Sequence, residues 1–169
     1  MRKSSIPAAL LAALLLAGCE QSAVTTAQIE ELQPGTACSL DGMLLLDYPG
    51  PKAQIHYASG ETEFFCDTVE MFSMLLRPEQ QRKVVAVYTQ DMGKADWSKP
   101  TGDWIDARTA VYVKDSKLMG SMGPTFAAFA ERSAAEAFVK QHGGTILNFD
   151  QVTPDMADLR GGAHHDHGM

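Results

Sequence analysis

Several signatures of common function are missing from this chain. It has no cluster of Lys and Arg: fourteen basic residues are spread against twenty-one acidic ones, for a formal charge of −7. A nucleic-acid partner is thereby excluded, because phosphate binding needs a concentrated basic face. There is no His-Glu-x-x-His, no Gly-x-Ser-x-Gly, no phosphate-binding loop and no Cys-x-x-Cys. Zinc-protease, serine-hydrolase, nucleotide and dithiol-redox chemistry therefore find no foothold. No apolar run is long enough to span a bilayer as a permanent helix. Cysteine is scarce at three residues, whereas methionine is plentiful at nine.

The first residues, "MRKSSIPAALLAALLLAGCE", carry a basic start at Arg2 and Lys3, an apolar stretch through Leu16 and small residues ending at Cys19. This is the layout of a secretion signal. Its ending, "LAGC", resembles the bacterial lipoprotein box, in which the Cys becomes the lipid-bearing first residue. Residues 1–18 are thus read as signal peptide and Cys19 as the lipidation site. Losing Arg2 and Lys3 makes the net charge more negative by two. The polar stretch from Cys19 to Ala37, interrupted by Pro34 and Gly35, reads as a tether spanning roughly 20–25 Å on average if it is a flexible coil.

One pattern then occurs twice. "AQIHYA" (53–58) and "TEFFC" (62–66), separated by Ser59-Gly60, read as a hairpin of β-branched and aromatic residues around a tight turn. Asp67 with Glu70 three residues on is a helix-start signal, Pro78 stops the helix, and "KVVAVYT" (83–89) is a strand. In the second half "ARTAVYVKDS" (107–116) and "PTFAAFA" (124–130) supply strands. Ser133 and Glu136 form a capping box for a helix ending at Gly143-Gly144, and "TILNF" (145–149) closes the unit. The expected fold class is α+β: two similar ββαβ units, 38–90 and 107–153, joined by a link over 91–106, with a single continuous α+β domain as the competing reading. The tail, 154–169, loses periodicity and ends in His164, His165, His167 and Met169. Such a tract holds metal ions loosely.

Soft donors recur in two places. "CSLDGM" puts Cys38 and Met43 around a turn-forming Asp41-Gly42, which lets both sulfurs face one point. Thiolate and thioether favour Cu(I) over hard cations. "MGSMGP" places Met119 and Met122 among Gly, Ser and Pro, with little apolar company to bury them, whereas Met71 and Met74 lie on the first helix as core. Cys66, at the end of a strand and the start of a helix, stands open between three roles: a site residue, a disulfide partner of Cys38, and an inert small hydrophobe. His56 and His142 read as structural.

Taken together, "CSLDGMLLLDYPGPKAQIHY", "EFFCDTVEMF", "VVAVYTQDMGKADW", "WIDARTAVYV", "MGSMGPTFAAFAERSAAEAFVKQHGG" and "ILNFDQVTP" resemble the NosL lipoproteins, accessory copper chaperones of nitrous oxide reductase. The resemblance runs from Cys38 to Pro154. It implies paired ββαβ units related to a domain of organomercurial lyases, and one Cu(I) bound in the periplasm. Delivery toward nitrous oxide reductase would pass through a membrane transporter with a periplasmic copper-accepting subunit. By motif, Cys38, Met43 and Met122 are the expected ligands, with Cys66 and Met119 behind them. The implied location is periplasmic and lipid-anchored, the outer membrane ranking ahead of the inner. Many members carry Cys-x-x-Cys-Gly-Met where this chain has Asp41, which assigns Asp41 to the turn. Two other readings compete: a thiol-dependent enzyme akin to the lyases, and a structural lipoprotein with a Cys38–Cys66 disulfide.

Overall fold

Strand β1 (Ala53–Tyr57) is buried at every position, although Gln54 and His56 are polar. The computed structural model, which describes residues 27–159, shows why. β1 is an inner strand of a four-stranded sheet. It pairs antiparallel with β2 (Thr62–Phe65) on one side and with β3 (Val84–Gln90) on the other, and β4 (Trp104–Asp106) adds beyond β3. Alternation sends Ala53, Ile55 and Tyr57 into the main core, and turns Gln54 and His56 to the opposite face. There the chain around Glu30 covers them. The Glu30 N–H donates to Gln54 Oε1 at 2.9 Å and the Gln54 amide returns a bond to Glu30 O at 3.0 Å, while Tyr88 donates to Ala27 O and Trp104 Nε1 to Glu31. The expected tether is therefore part of the folded unit from Ala27 onward. The link likewise contributes β4 to the first sheet, its backbone pairing Gln90 with Trp104 and Tyr88 with Asp106.

Helix α1 (Thr68–Leu75) begins at Asp67, whose carboxylate accepts the Val69 N–H, and stops before Pro78. Met71 and Phe72 are fully buried, and Met74 packs partly on the same core, as the sequence leads one to expect. The second unit repeats the first. β5 (Val111–Lys114) lies between β8 (Ala127–Phe129) and β9 (Thr145–Asn148), an arrangement equivalent to β1 between β2 and β3. A two-stranded hairpin, β6 (Met119–Gly120) with β7 (Gly123–Pro124), is inserted after β5. Helix α2 (Arg132–His142) precedes β9. The architecture is the expected α+β pair of ββαβ units.

Local details differ from expectation for identifiable reasons. Asp106 closes a turn by accepting from Arg108, Thr109 and Ala110, so the strand expected from 107 starts only at Val111. The Glu131 carbonyl accepts from Ala134 and Ala135, so α2 begins before Ser133, which lies inside the first turn rather than capping it. Its end is as expected: Gly143 adopts φ +72° and returns its N–H to Val139.

The two units share one core. Phe72 of α1 meets Tyr112 of β5, Phe126 and Phe149, with ring centroids 4.9–5.3 Å apart. A second cluster, Val113, Ala127, Phe129 and Ala135, lies beneath α2, with Phe138 stacked on Trp97. Because Phe72 bridges the units, truncating it opens a cavity in both. Phe72→Ala is expected to lower unfolding free energy by about 3–5 kcal/mol, read from the denaturant midpoint.

Candidate metal site

Cys38 is held by a closed backbone loop. Its N–H donates to Met43 O at 2.8 Å and its carbonyl accepts the Gly42 N–H at 2.9 Å; Gly42 takes φ +80°, and Asp41 accepts from the Met43 N–H. The loop is stapled to the end of β2: Ser39 N–H donates to Phe64 O at 2.7 Å, and the Ser39 hydroxyl accepts the Phe64 N–H at 3.0 Å. β2 runs directly into Cys66, so the staple carries Cys38 to it. Cys38 (4% exposed), Cys66 and Leu45 form a small buried cluster with Met43, Leu32 and Phe64 packed on it.

The residue between the two thiols is Glu70. Both Sγ atoms lie 3.2 Å from Glu70 Oε2, and Glu70 is buried. Cys66 lies just before the Asp67 cap of α1 and Glu70 lies in the first turn, which brings both side chains to the N-terminal end of the helix. Read from sequence, Glu70 is a capping residue. Asp41 completes the group: one donor atom each from Cys38, Asp41, Cys66 and Glu70 falls within 4.8 Å of the others. Both cysteines are free thiols, so the Cys38–Cys66 disulfide is not formed.

The β6–β7 hairpin is fixed to the same corner. The Ser121 hydroxyl donates to the Cys66 carbonyl, and the buried Lys52 ammonium donates to Pro49 O, Cys66 O and Ser121 Oγ at 2.9, 3.0 and 2.9 Å. Lys52 thereby satisfies all three of its protons. A Cβ on Gly120 would collide with the Asp67 carboxylate and Thr125, so only glycine permits this approach. Met119 and Met122 flank Ser121 and remain 51% and 48% exposed. The structure thus joins Cys38, Cys66 and Met43, and ties the hairpin that carries Met119 and Met122 to this corner through the Ser121 side chain. His56 donates to or accepts from Gln54 and Thr62, and His142 packs on Phe138, both outside the thiol group. Cys19, His164, His165, His167 and Met169 lie outside the described residues.

Residues 28–157 match the NosL family model. The chain belongs to the NosL family. A copper-binding lipoprotein NosL of Stutzerimonas stutzeri is 36% identical over 166 residues, covering 94% of this chain and 87% of its own. Another, from Achromobacter cycloclastes, is 35% identical over 147 residues, covering 84% and 76%. The crystal structure of the copper chaperone NosL from Shewanella denitrificans superposes with a TM-score of 0.72 at 37% identity, over 76% of this chain and 97% of that one. These relatives are named for binding or carrying copper, not for catalysis. The NosL match begins at residue 28, close to Ala27, whose carbonyl accepts the Tyr88 hydroxyl.

Electrostatics divide the roles of the two thiols in this NosL-family chain. The hydrogen bond from the Cys66 side chain lowers Cys38 from 9.0 to about 6, with further help from backbone N–H groups, against the opposing effect of burial. The same bond, burial and the Glu70 charge push Cys66 up. Burial, with the Cys38 charge behind it, raises Glu70 to about 8. Near neutral pH the negative charge accordingly concentrates on Cys38. A depressed acid is ionised above its folded-state value, so the Cys38 thiolate should appear as pH rises through about 6. Cys66→Ala removes the largest cause of the lowering, and the transition should then move toward the ordinary value. Thiolate ultraviolet absorbance, taken as the difference from Cys38→Ser, measures both. A Cys38 transition that does not move in Cys66→Ala would contradict the assignment.

Proposed function

We propose that this chain is a lipid-anchored periplasmic carrier of Cu(I), serving assembly of the copper centres of nitrous oxide reductase. The observation that carries the reading is the convergence of two free thiols and Met43 at one corner, in a chain whose relatives are named copper-binding lipoproteins. Cys38 is the principal ligand, since it takes the thiolate form most readily. Met43 and Cys66 are the adjacent sulfur donors, and Met122, with Met119 as its substitute, approaches from the hairpin. Soft donors of this kind select Cu(I).

Carriage requires release as well as grip. A closed tetrahedral site retains its metal, whereas a site with a position left open lets an incoming ligand bind before the first ones leave. The half-exposed thioethers on the hairpin suit such an exchange with the periplasmic copper-accepting subunit of a membrane transporter. Lipid on Cys19 would confine the carrier beside membrane-bound partners and raise its effective concentration there. Of the two membranes, the outer is our assignment.

Two experiments test the reading. Full-length protein in detergent, kept anaerobic, is titrated with Cu(I) against a competing chelator. One ion per chain is expected, with Cys38→Ser losing more affinity than the roughly 10–100-fold typical of a supporting group at a metal site. Met43→Leu and Met122→Leu should each weaken binding less than Cys38→Ser does. Unchanged affinity in a variant combining Cys38→Ser, Met43→Leu and Met122→Leu would sink the ligand assignment. Cys19→Ser should move the protein from the membrane to the soluble fraction; retention on the membrane would remove Cys19 as the anchor.

A further inference from the structure

The β6–β7 hairpin carries two methionines and has little of its own to hold it in place. It consists of two residue pairs, Met119 opposite Pro124 and Gly120 opposite Gly123, and Pro124 has no N–H to contribute. A two-stranded ribbon of this size is not stable alone in water. Ser121 ties the turn to the thiol corner from one side. The other side is held by Trp97, from the stretch between β3 and β4. Its indole Nε1–H donates to Met119 O at 3.0 Å, and its own carbonyl accepts the Gly50 N–H at 2.8 Å. Gly50 in turn lies so close to the hairpin that a Cβ on it would fall 2.8 Å from Gly120 Cα. Trp97 is itself fixed by its stack on Phe138 of α2, with ring centroids 5.7 Å apart and planes 28° from parallel, and Phe138 rests on Phe129 at 5.1 Å. The core beneath α2 thus reaches the methionine hairpin through one side chain.

We propose that Trp97 is a positioning residue for copper exchange, its indole N–H holding the hairpin where Met119 and Met122 can present their sulfurs to an ion at the thiol corner. This role rests on the Cu(I)-carrier reading given above. Trp97 acts through the Met119 carbonyl and not as a ligand. The division of labour follows from the side chains. A thioether on an unbranched, flexible chain has no fixed direction of its own, so the backbone beneath it must supply one. An indole N–H is a single donor on a rigid ring, and it fixes the backbone at Met119 without filling a coordination position. Without that bond the hairpin is free to pivot about Ser121, the thioethers sample a larger volume, and their effective concentration at the ion falls.

Trp97→Phe keeps a ring on Phe138 and removes the N–H. In full-length protein in detergent, hydrogen–deuterium exchange at the amides of residues 119–123 should quicken, with the denaturant midpoint close to that of the parent. Cu(I) affinity, measured anaerobically against a competing chelator, should fall roughly tenfold. In a background carrying both Met119→Leu and Met122→Leu the same change should have no further effect, because the methionines are the route by which Trp97 acts. Should Trp97→Phe misfold, benzothienylalanine inserted at position 97 preserves the ring shape and lacks only the N–H. Three results would each overturn the proposal: unaltered exchange in the hairpin, Cu(I) affinity indifferent to Trp97→Phe while Met122→Leu weakens it, and an equal loss in the double-leucine background, which would mark Trp97 as a packing residue. Failure of the carrier reading looks different. A parent that takes up no Cu(I), or whose affinity ignores both leucine changes, contradicts that reading and takes the role of Trp97 in copper exchange with it.

Discussion

The corner where β2 ends and α1 begins, Cys66-Asp67, is the constraint on which the candidate site depends. The Cys66 thiol meets Glu70 in the first turn of α1, and its carbonyl receives the Lys52 ammonium and the Ser121 hydroxyl. Asp67 caps α1 through Val69 and takes the Thr125 hydroxyl from the second unit. Four separate stretches, around Cys38, Lys52, α1 and the β6–β7 hairpin, are thus tied to two residues. Buried polar groups of this kind are costly unless their bonds are met, and at this corner Asp67 Oδ2 is buried without a hydrogen-bond partner. Lys52 illustrates the rule, being fully buried with three acceptors for its three protons.

The same arrangement accounts for the charge distribution. Burial lowers Lys52 to about 8 and raises Asp67 to about 6, while Glu70 rises to about 8. Each of these shifts disfavours the charged form relative to its ordinary range, whereas at Cys38 a thiol hydrogen bond and backbone N–H groups stabilise the anion. A soft cation entering here meets one ready thiolate and neighbours able to yield protons. The site is therefore organised around Cys38, although Cys66 is the better fixed of the two. Cys38 rides on a loop closed by Gly42, and that loop is fastened to the sheet by Ser39 alone among its side chains with bonds to β2.

Much of the fold was legible because its signals are local. The runs 53–57, 62–65 and 84–90 are β-branched or aromatic around Gly turns, and Asp67 and Pro78 bracket a helix. What escaped was decided by distant partners. Nothing in the polar stretch before Cys38 announces that Glu30 will bond Gln54, or that Ala27 will receive Tyr88. Trp104–Asp106 is three residues long, and becomes a strand because β3 offers an unpaired edge. Cys38 and Met43 could be named from their motif and family resemblance. Glu70 could not, because an acidic residue three positions after Asp67 looks like a capping partner until the thiols are placed beside it.

The central claim is that the thiol corner, and not the histidine-containing tail, receives the ion. X-ray absorption at the copper edge of the Cu(I)-loaded full-length chain tests this most directly, since sulfur and imidazole shells scatter differently. The account predicts a low-coordinate shell of sulfur that loses sulfur in Cys38→Ser and again in Met43→Leu. A shell dominated by nitrogen, unchanged by those substitutions and lost on removing His164, His165 and His167, would contradict it.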